Sequence, residues 1–159
     1  MQDGIVVLQK GARADRAWGA GHRGHGAFPQ PRPISGPHRN GAILVIERDD
    51  DVRTLIAESL DAFGHPVVTV PSSEAARDAL SSGEVVLLIA DIATAADDIA
   101  SLLGRARRTA TSFRTIAMSG GLAALDREPS VAAAGADAII RMPFRTGALL
   151  SEVRRLLPA

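Results

Sequence analysis

The sequence of 159 residues contains no cysteine and no tyrosine, and aromatic residues make up only 3% of it. Without cysteine the chain has no disulfide bonds and no thiol chemistry, which is compatible with a reducing cytoplasm. No apolar run approaches the roughly 18 residues that a membrane-spanning helix needs. The apolar run at residues 5–8 is too short for a signal peptide. We therefore expect a cytoplasmic protein with no membrane partner.

The charges of the chain balance overall but are unevenly distributed. Residues 1–40 hold six basic and two acidic side chains, which leaves 12 basic and 16 acidic ones in residues 41–159. A nucleic-acid-binding domain normally presents a basic face, so this balance argues against a nucleic-acid partner. Residues 1–40, rich in Gly, Arg, His and Pro, cannot bury enough apolar area to offset their ordering entropy. We predict a disordered or weakly ordered tail over 1–40 and one domain over 41–159.

The domain alternates apolar runs with helical patterns. The longest run, VVLLIAD, has the length and β-branched content of a strand buried on both faces of a parallel sheet. Five repeats of strand then helix favour βαβ units with right-handed crossovers. The predicted strands lie near residues 42–46, 67–70, 85–91, 115–118 and 138–141. The predicted helices lie near residues 51–63, 73–80, 97–108, 122–134 and 146–157.

Polar side chains follow several of these strands at the same end. Asp91 ends the third strand, Glu47 and Arg48 follow the first, and Ser119 follows the fourth. In an open α/β sheet, ligands bind at the carboxyl ends of the strands. The pattern therefore predicts that these side chains share one site.

The acidic run Asp49, Asp50 and Asp51 has two interpretations. Aspartate is favoured at a helix N-cap and in the first turn, where it complements the helix dipole. The alternative is that one of these carboxylates turns into the site as a metal ligand. We favour the capping interpretation.

Four segments, ILVIERDDDVR, LLIADI, TIAMSGG and GADAIIRMPF, resemble in order and spacing the receiver domain of two-component response regulators. The resemblance covers residues 41–159 and implies an α/β, flavodoxin-like (βα)5 doubly wound parallel sheet with strand order 2-1-3-4-5. It implies that Asp91 is the phosphoacceptor and that Ser119 is the switch residue, which binds the phosphoryl group. It also implies Mg²⁺ held by Glu47 and Asp91, and a cis Met142–Pro143 peptide.

The sequence departs from the family pattern at several positions. Arg48 replaces the second acidic metal ligand, so we expect weak Mg²⁺ binding, and Met142 replaces a lysine. Ile139 replaces the switching aromatic. We hypothesise that Arg48 forms an ion pair with Asp91 in the space that the metal would fill. Arg141 precedes Met142 and points to the opposite face of the strand, so we do not expect it to replace the lysine.

The resemblance implies a stand-alone receiver in a phosphorelay, with a histidine kinase or phosphotransfer protein as donor and a downstream protein partner. No dedicated enzyme activity is expected beyond self-phosphorylation from a phosphohistidine donor. The implied partner surface includes Ala136, Ile139 and Arg145. Arg48 and Met142 favour an alternative, a pseudo-receiver that binds partners without phosphorylation. A flavin-binding enzyme on the same fold is a weaker third interpretation, because no Gly-rich loop follows the first strand.

Overall fold

A computed structural model gives the structure of the protein and describes residues 7–8, 41–93, 99, 101–104 and 113–157. Most of the predicted tail lies outside these residues, as does the predicted start of the third helix at Asp97 and Asp98. The predicted division into a tail and one domain therefore stays a prediction. Within the described residues, no helix is long and apolar enough to cross a membrane.

The described residues form seven strands and six helices. The strands are β1 (Val7–Leu8), β2 (Ala42–Ile46), β3 (Val67–Val70), β4 (Val85–Asp91), β5 (Arg114–Ser119), β6 (Ala138–Arg141) and β7 (Phe144–Arg145). The helices are α1 (Asp50–Ala62), α2 (Ser73–Ser81), α3 (Ile99 and 101–104), α4 (Leu122–Leu125), α5 (Glu128–Ala134) and α6 (Thr146–Leu156).

Five strands form one parallel sheet in the order β3-β2-β4-β5-β6. When the tail strand is left out of the count, this is the predicted order 2-1-3-4-5. Strand β4 lies at the centre of the sheet, so the residue that ends it has a neighbouring strand on each side. The prediction of a doubly wound α/β fold is confirmed.

The sheet is buried on both faces. Neighbouring residues of a strand point to opposite faces, and every residue of β2 is buried. Leu44 and Leu88 belong to the apolar cluster on one face, whereas Ile43 and Ile89 belong to the cluster on the other. Continuous apolar runs therefore predicted these strands correctly, because both of their faces lie in the core.

Strand β2 starts where the main chain of residue 41 passes close to that of residue 84. A Cβ atom on Gly41 would lie 2.2 Å from the carbonyl oxygen of Glu84, and the next amide, Ala42 N, donates to that same oxygen at 2.8 Å. Only glycine permits this approach without a shift of the backbone.

Helix α1 begins with the predicted cap. The Asp49 carboxylate accepts hydrogen bonds from Asp51 N at 3.0 Å and from Val52 N at 3.2 Å. The capping interpretation is confirmed for Asp49, which satisfies amides that the first helical turn leaves without partners. The buried face of α1 consists of Val52, Ile56 and Leu60.

The predicted fourth helix is divided into α4 and α5, and Pro129 lies in the first turn of α5, as predicted. After β6, the Met142–Pro143 peptide bond is cis, which confirms the expectation drawn from the resemblance. Beyond it, β7 pairs antiparallel with β1, with Leu8 opposite Phe144. Helix α6 then covers the sheet with Leu149, Leu150 and Val153.

Candidate functional site

Three polar side chains are buried at the carboxyl edge of the sheet. Glu47 and Asp91 are 0% exposed and Ser119 is 2% exposed. Ile46 pairs with Ala90 and Asp91 pairs with Met118, so each of the three follows, or ends, a strand at nearly the same level. The structure thus brings together the predicted acceptor, the predicted acidic ligand and the predicted switch residue.

The two buried carboxylates make this edge strongly attractive to cations and hydrogen-bond donors. Burial of a carboxylate is costly unless donors or an opposite charge compensate it. Glu47 Oε1 accepts a hydrogen bond from Asp49 N at 2.9 Å, which fixes the turn between β2 and α1. This main-chain donor orients the Glu47 carboxylate.

The hypothesis of an Arg48–Asp91 ion pair stays a prediction. Arg48 is exposed whereas Asp91 is fully buried, a difference that does not favour the pair. Arg48 lies in the bend directly after β2, where Glu47 is the residue whose side chain is buried. An exposed guanidinium keeps its hydration, whereas an ion pair with a buried carboxylate requires it to be desolvated.

Arg53 is a residue that the sequence analysis missed. Its Nη1 donates to the carbonyl oxygens of Glu47 at 2.7 Å and Arg48 at 3.4 Å, and its Nη2 forms an ion pair with Asp50. The Arg53 side chain is only 13% exposed. It therefore anchors the main chain of the loop between β2 and α1, which carries Glu47. The i,i+3 spacing of Asp50 and Arg53 was the only signal for it.

The described residues contain no cluster of three or more His, Cys, Asp or Glu side chains able to hold a metal ion. The Asp49 carboxylate is used as the cap of α1, which leaves Glu47 and Asp91 as the buried carboxylates at this edge. Mg²⁺ in proteins is commonly held by one or two carboxylates and keeps several waters. These two residues fit that requirement.

Met142 follows β6 at the same edge of the sheet. Its partly buried side chain packs against the apolar cluster that contains Ile43 and Ile89. Its amide donates to the carbonyl oxygen of Ser119 at 2.7 Å, which ties the two strand ends together. A thioether carries no charge, so this position supplies no cation to the site.

Arg141, the last residue of β6, forms an ion pair with Glu128, the first residue of α5. Arg141 Nε lies 3.1 Å from Glu128 Oε1, and Nη2 lies 2.8 Å from Oε2. The guanidinium is directed at this carboxylate, in keeping with the prediction that Arg141 does not take the lysine position.

The Glu128–Arg141 ion pair shifts the pKa of both of its members. The pKa of Glu128 is lowered, first by the hydrogen bonds from Arg141 and then by the Ser119 hydroxyl. Glu128 in turn raises the pKa of Arg141. Ser119 Oγ is buried and makes no hydrogen bond within the described part of the chain. No pattern in the sequence indicated a role for Glu128.

An open groove of about 680 Å³ runs between β6 and α6, next to the Arg141 end of the site. Ile139 and Phe144 line one side of it, and Ser151 and Arg155 line the other. The groove contains Ile139, which is one of the residues of the predicted partner surface.

No protein-family model matches the sequence, and no curated protein matches it. Several solved structures do. NtrX from Brucella abortus, in complex with ADP, is 26% identical, with 74% of this chain and 26% of that chain covered and a TM-score of 0.64. A response regulator receiver domain from Bermanella marisrubri is 23% identical, with 72% and 96% covered and a TM-score of 0.66.

CheY4, a chemotaxis response regulator of Vibrio cholerae, is 16% identical over 74% of this chain and 98% of that chain, with a TM-score of 0.64. The chain has the fold of a response regulator receiver domain. It spans about a quarter of the length of NtrX and nearly all of the Bermanella domain and of CheY4. These structures confirm the resemblance in fold that the four segments predicted.

Proposed function

We propose that the protein is a receiver of a phosphorelay, in which Asp91 accepts a phosphoryl group from a histidine kinase or phosphotransfer protein. The observation that carries this proposal is the position of Asp91. It ends the central strand β4 with a second buried carboxylate, Glu47, on one side and a buried hydroxyl, Ser119, on the other. The receiver fold supports this assignment, although fold alone does not fix function.

The chemical step needs little from the protein beyond position and charge. An Asp91 carboxylate oxygen attacks phosphorus, a P–O bond forms, and the P–N bond to the donor imidazole breaks. The leaving imidazole takes a proton and departs neutral. Mg²⁺, held by Glu47 and Asp91, would supply positive charge to the phosphoryl oxygens. The Ser119 hydroxyl donates a hydrogen bond to one of these oxygens.

Two departures from the family pattern make this receiver a slow one. Met142 offers no positive charge to the phosphoryl oxygens, and Arg48 provides no acidic ligand. The output is a change in affinity for a protein partner, driven by a shift between two surface states. The surface around Ile139, Ala136 and Arg145 serves as the contact.

The test is intact-mass spectrometry after incubation with acetyl phosphate and Mg²⁺. We expect one phosphoryl adduct on the wild type and none on Asp91→Asn. Asp126→Asn, which removes an exposed carboxylate beyond α4, is the matched control and keeps the adduct. An adduct of equal yield on Asp91→Asn would contradict the assignment of the acceptor.

A pseudo-receiver, which binds its partner without phosphorylation, is the second candidate. It is favoured by Met142, since the position carries no cation, and by the exposed Arg48. If neither acetyl phosphate nor a cognate kinase labels the protein, this candidate replaces the first. Partner binding that is equal for the wild type and Asp91→Asn would support it directly.

A further inference from the structure

Strand β1 brings the N-terminal part of the chain to the carboxyl edge of the sheet. Val7 lies opposite Arg145 and Leu8 lies opposite Phe144 in an antiparallel pair. Strand β7 begins two residues after Met142, which follows β6 at that edge. The described part of the tail therefore docks close to the position where the site has an uncharged thioether.

The direction of β1 leads the chain toward Met142. In the antiparallel register, each step forward from Leu8 is matched by a step backward from Phe144. The same register, continued by two residues, sets Lys10 opposite Met142. Lys10 lies outside the described residues, but two residues of main chain span at most about 7 Å, which limits its distance from Leu8. Lys10 is also the single lysine of the sequence.

The alternation of side chains along a strand gives Leu8 and Lys10 the same face. Phe144 is 6% exposed whereas Arg145 is exposed, so the face of β7 that carries Phe144 is turned toward the core. Residues directly opposite one another share a face, and so do residues i and i+2 of one strand. An extended chain after β1 therefore directs Lys10 toward the protein and Gln9 away from it.

Two arginines near the site are already bound to other groups. Arg53 donates to the main chain of the loop between β2 and α1 and forms an ion pair with Asp50. Arg141 Nη2 lies 2.8 Å from Glu128 Oε2. Neither guanidinium can therefore turn to a phosphoryl group on Asp91 without breaking an ion pair, whereas the oxygens of such a group require positive charge.

We propose that Lys10, carried to the site by β1, supplies to the phosphoryl oxygens the positive charge that Met142 does not. This role rests on the proposed function of Asp91, whereas the docked position of Lys10 does not. A lysine ammonium is a compact charge on a flexible four-carbon stem, so it can reach an anion from a neighbouring strand. Since only two residues of β1 are paired, its charge is held less firmly than one placed by the sheet itself.

The first experiment measures binding of beryllofluoride, a phosphoryl analogue, to the full chain in the presence of Mg²⁺. Lys10→Met is expected to bind it roughly three- to tenfold less tightly, because a charge-assisted hydrogen bond from a weakly docked strand is lost. In the Lys10→Met background, Met142→Lys is expected to restore at least the wild-type affinity, since the cation returns at the strand end. Wild-type affinity in Lys10→Met overturns the proposal.

Two controls separate the position of the lysine from net charge. Gln9→Lys combined with Lys10→Gln keeps the composition and moves the lysine to the opposite face, and it is expected to bind beryllofluoride as weakly as Lys10→Met. Arg32→Met removes another basic residue of the tail and is expected to keep the wild-type affinity. Full affinity in the exchanged variant, or an equal loss in Arg32→Met, would overturn the proposal.

A second experiment tests the position of residue 10 without any phosphoryl chemistry. The chain contains no cysteine, so Lys10→Cys combined with Met142→Cys introduces the two thiols of one defined disulfide. In a glutathione buffer this disulfide is expected to persist under more reducing conditions than that of Gln9→Cys combined with Met142→Cys. The reason is that a disulfide requires Cβ atoms that face each other.

The disulfide comparison also separates this proposal from the proposed function. Equal stability of the two disulfides overturns the docked position of Lys10, even if Asp91 is phosphorylated. A more stable disulfide from residue 10, in a protein that binds no beryllofluoride, would confirm the docked position. It would reject the receiver function and, with it, the role of Lys10 at the phosphoryl oxygens.

Discussion

The two halves of the carboxyl edge differ in how far they keep the parts of a phosphoryl site. The half formed by β2 and β4 keeps two carboxylates, Glu47 and Asp91, both fully buried. The half formed by β5 and β6 keeps the buried Ser119, but its lysine position is Met142, and the nearby Arg141 is paired with Glu128. The acidic half thus offers oxygen ligands to a cation, whereas at the lysine position the other half offers an uncharged thioether.

This difference follows from how the two sets of groups are positioned. Asp91 and Ser119, the proposed acceptor and switch residue, are placed by strand ends, whose register is fixed by the buried sheet. The charged side chains around them are long and lie in turns or after strand ends, where packing in the core does not fix their conformation. The charged residues around the site can therefore change while the sheet and Asp91 stay in place.

Replacing Met142 with lysine would add a cation to the half of the edge formed by β5 and β6. Of the predicted effects on ligand affinity, we expect this one to be the largest. An added ammonium group at the phosphoryl oxygens is worth about 1.5–3 kcal/mol as a charge-assisted hydrogen bond. We therefore expect Met142→Lys to bind beryllofluoride with Mg²⁺ at least about tenfold more tightly, as measured by calorimetry.

Met142→Leu is the control for this substitution, since it keeps an apolar side chain of similar volume. It is expected to bind beryllofluoride like the wild type. Equal beryllofluoride affinities for the lysine and leucine variants would mean that residue 142 does not contact the ligand bound near Asp91. The half formed by β5 and β6 would then take no part in the phosphoryl site.

Asp49→Ala tests whether the acidic run serves the fold or the metal. The Asp49 carboxylate accepts two amide hydrogen bonds at the start of α1, so its loss is expected to lower the free energy of unfolding by about 1 kcal/mol. Denaturant unfolding measures this loss. Asp51→Ala removes an equal charge from the same turn without touching the cap and is expected to cost less.

Mg²⁺ titration of the same two variants completes the test. If Asp49 acts only as a cap, both variants bind Mg²⁺ with similar affinity. A selective loss of Mg²⁺ binding in Asp49→Ala would restore the metal interpretation of the acidic run, and the first half would then hold three carboxylate ligands.

Most of the fold could be predicted because its strands are local patterns. The runs that became β2 and β4 are apolar from end to end, and a parallel sheet covered by helices is the environment that such runs require. The cap at Asp49 is equally local, since its partners lie two and three residues away. The position of Asp91 followed from the same strand assignments.

The interactions of the charged side chains could not be predicted in the same way. Glu128 and Arg141 are 13 residues apart, and their contact depends on how α5 packs beside β6. The side chain of Arg48, two residues after the end of β2, is exposed, whereas that of Glu47 is buried. Such outcomes depend on small differences between hydration and attraction, which the residue types alone do not fix.

The smallest expected effect concerns the acid stability that the Glu128–Arg141 pair contributes. The pKa of Glu128 is lowered in the folded state, so its contribution is present above the unfolded value and is lost as the pH falls through the folded one. The difference in the free energy of unfolding between the wild type and Glu128→Gln is therefore expected to decrease below about pH 4.5. Solvent screening keeps this difference small.

Arg141→Met supplies the control for this prediction. In that background, denaturant unfolding at pH 7 and at pH 3 is expected to show little of the difference, because the main cause of the lowered pKa is gone. A difference in stability that survives unchanged in that background would contradict its assignment to the Glu128–Arg141 ion pair.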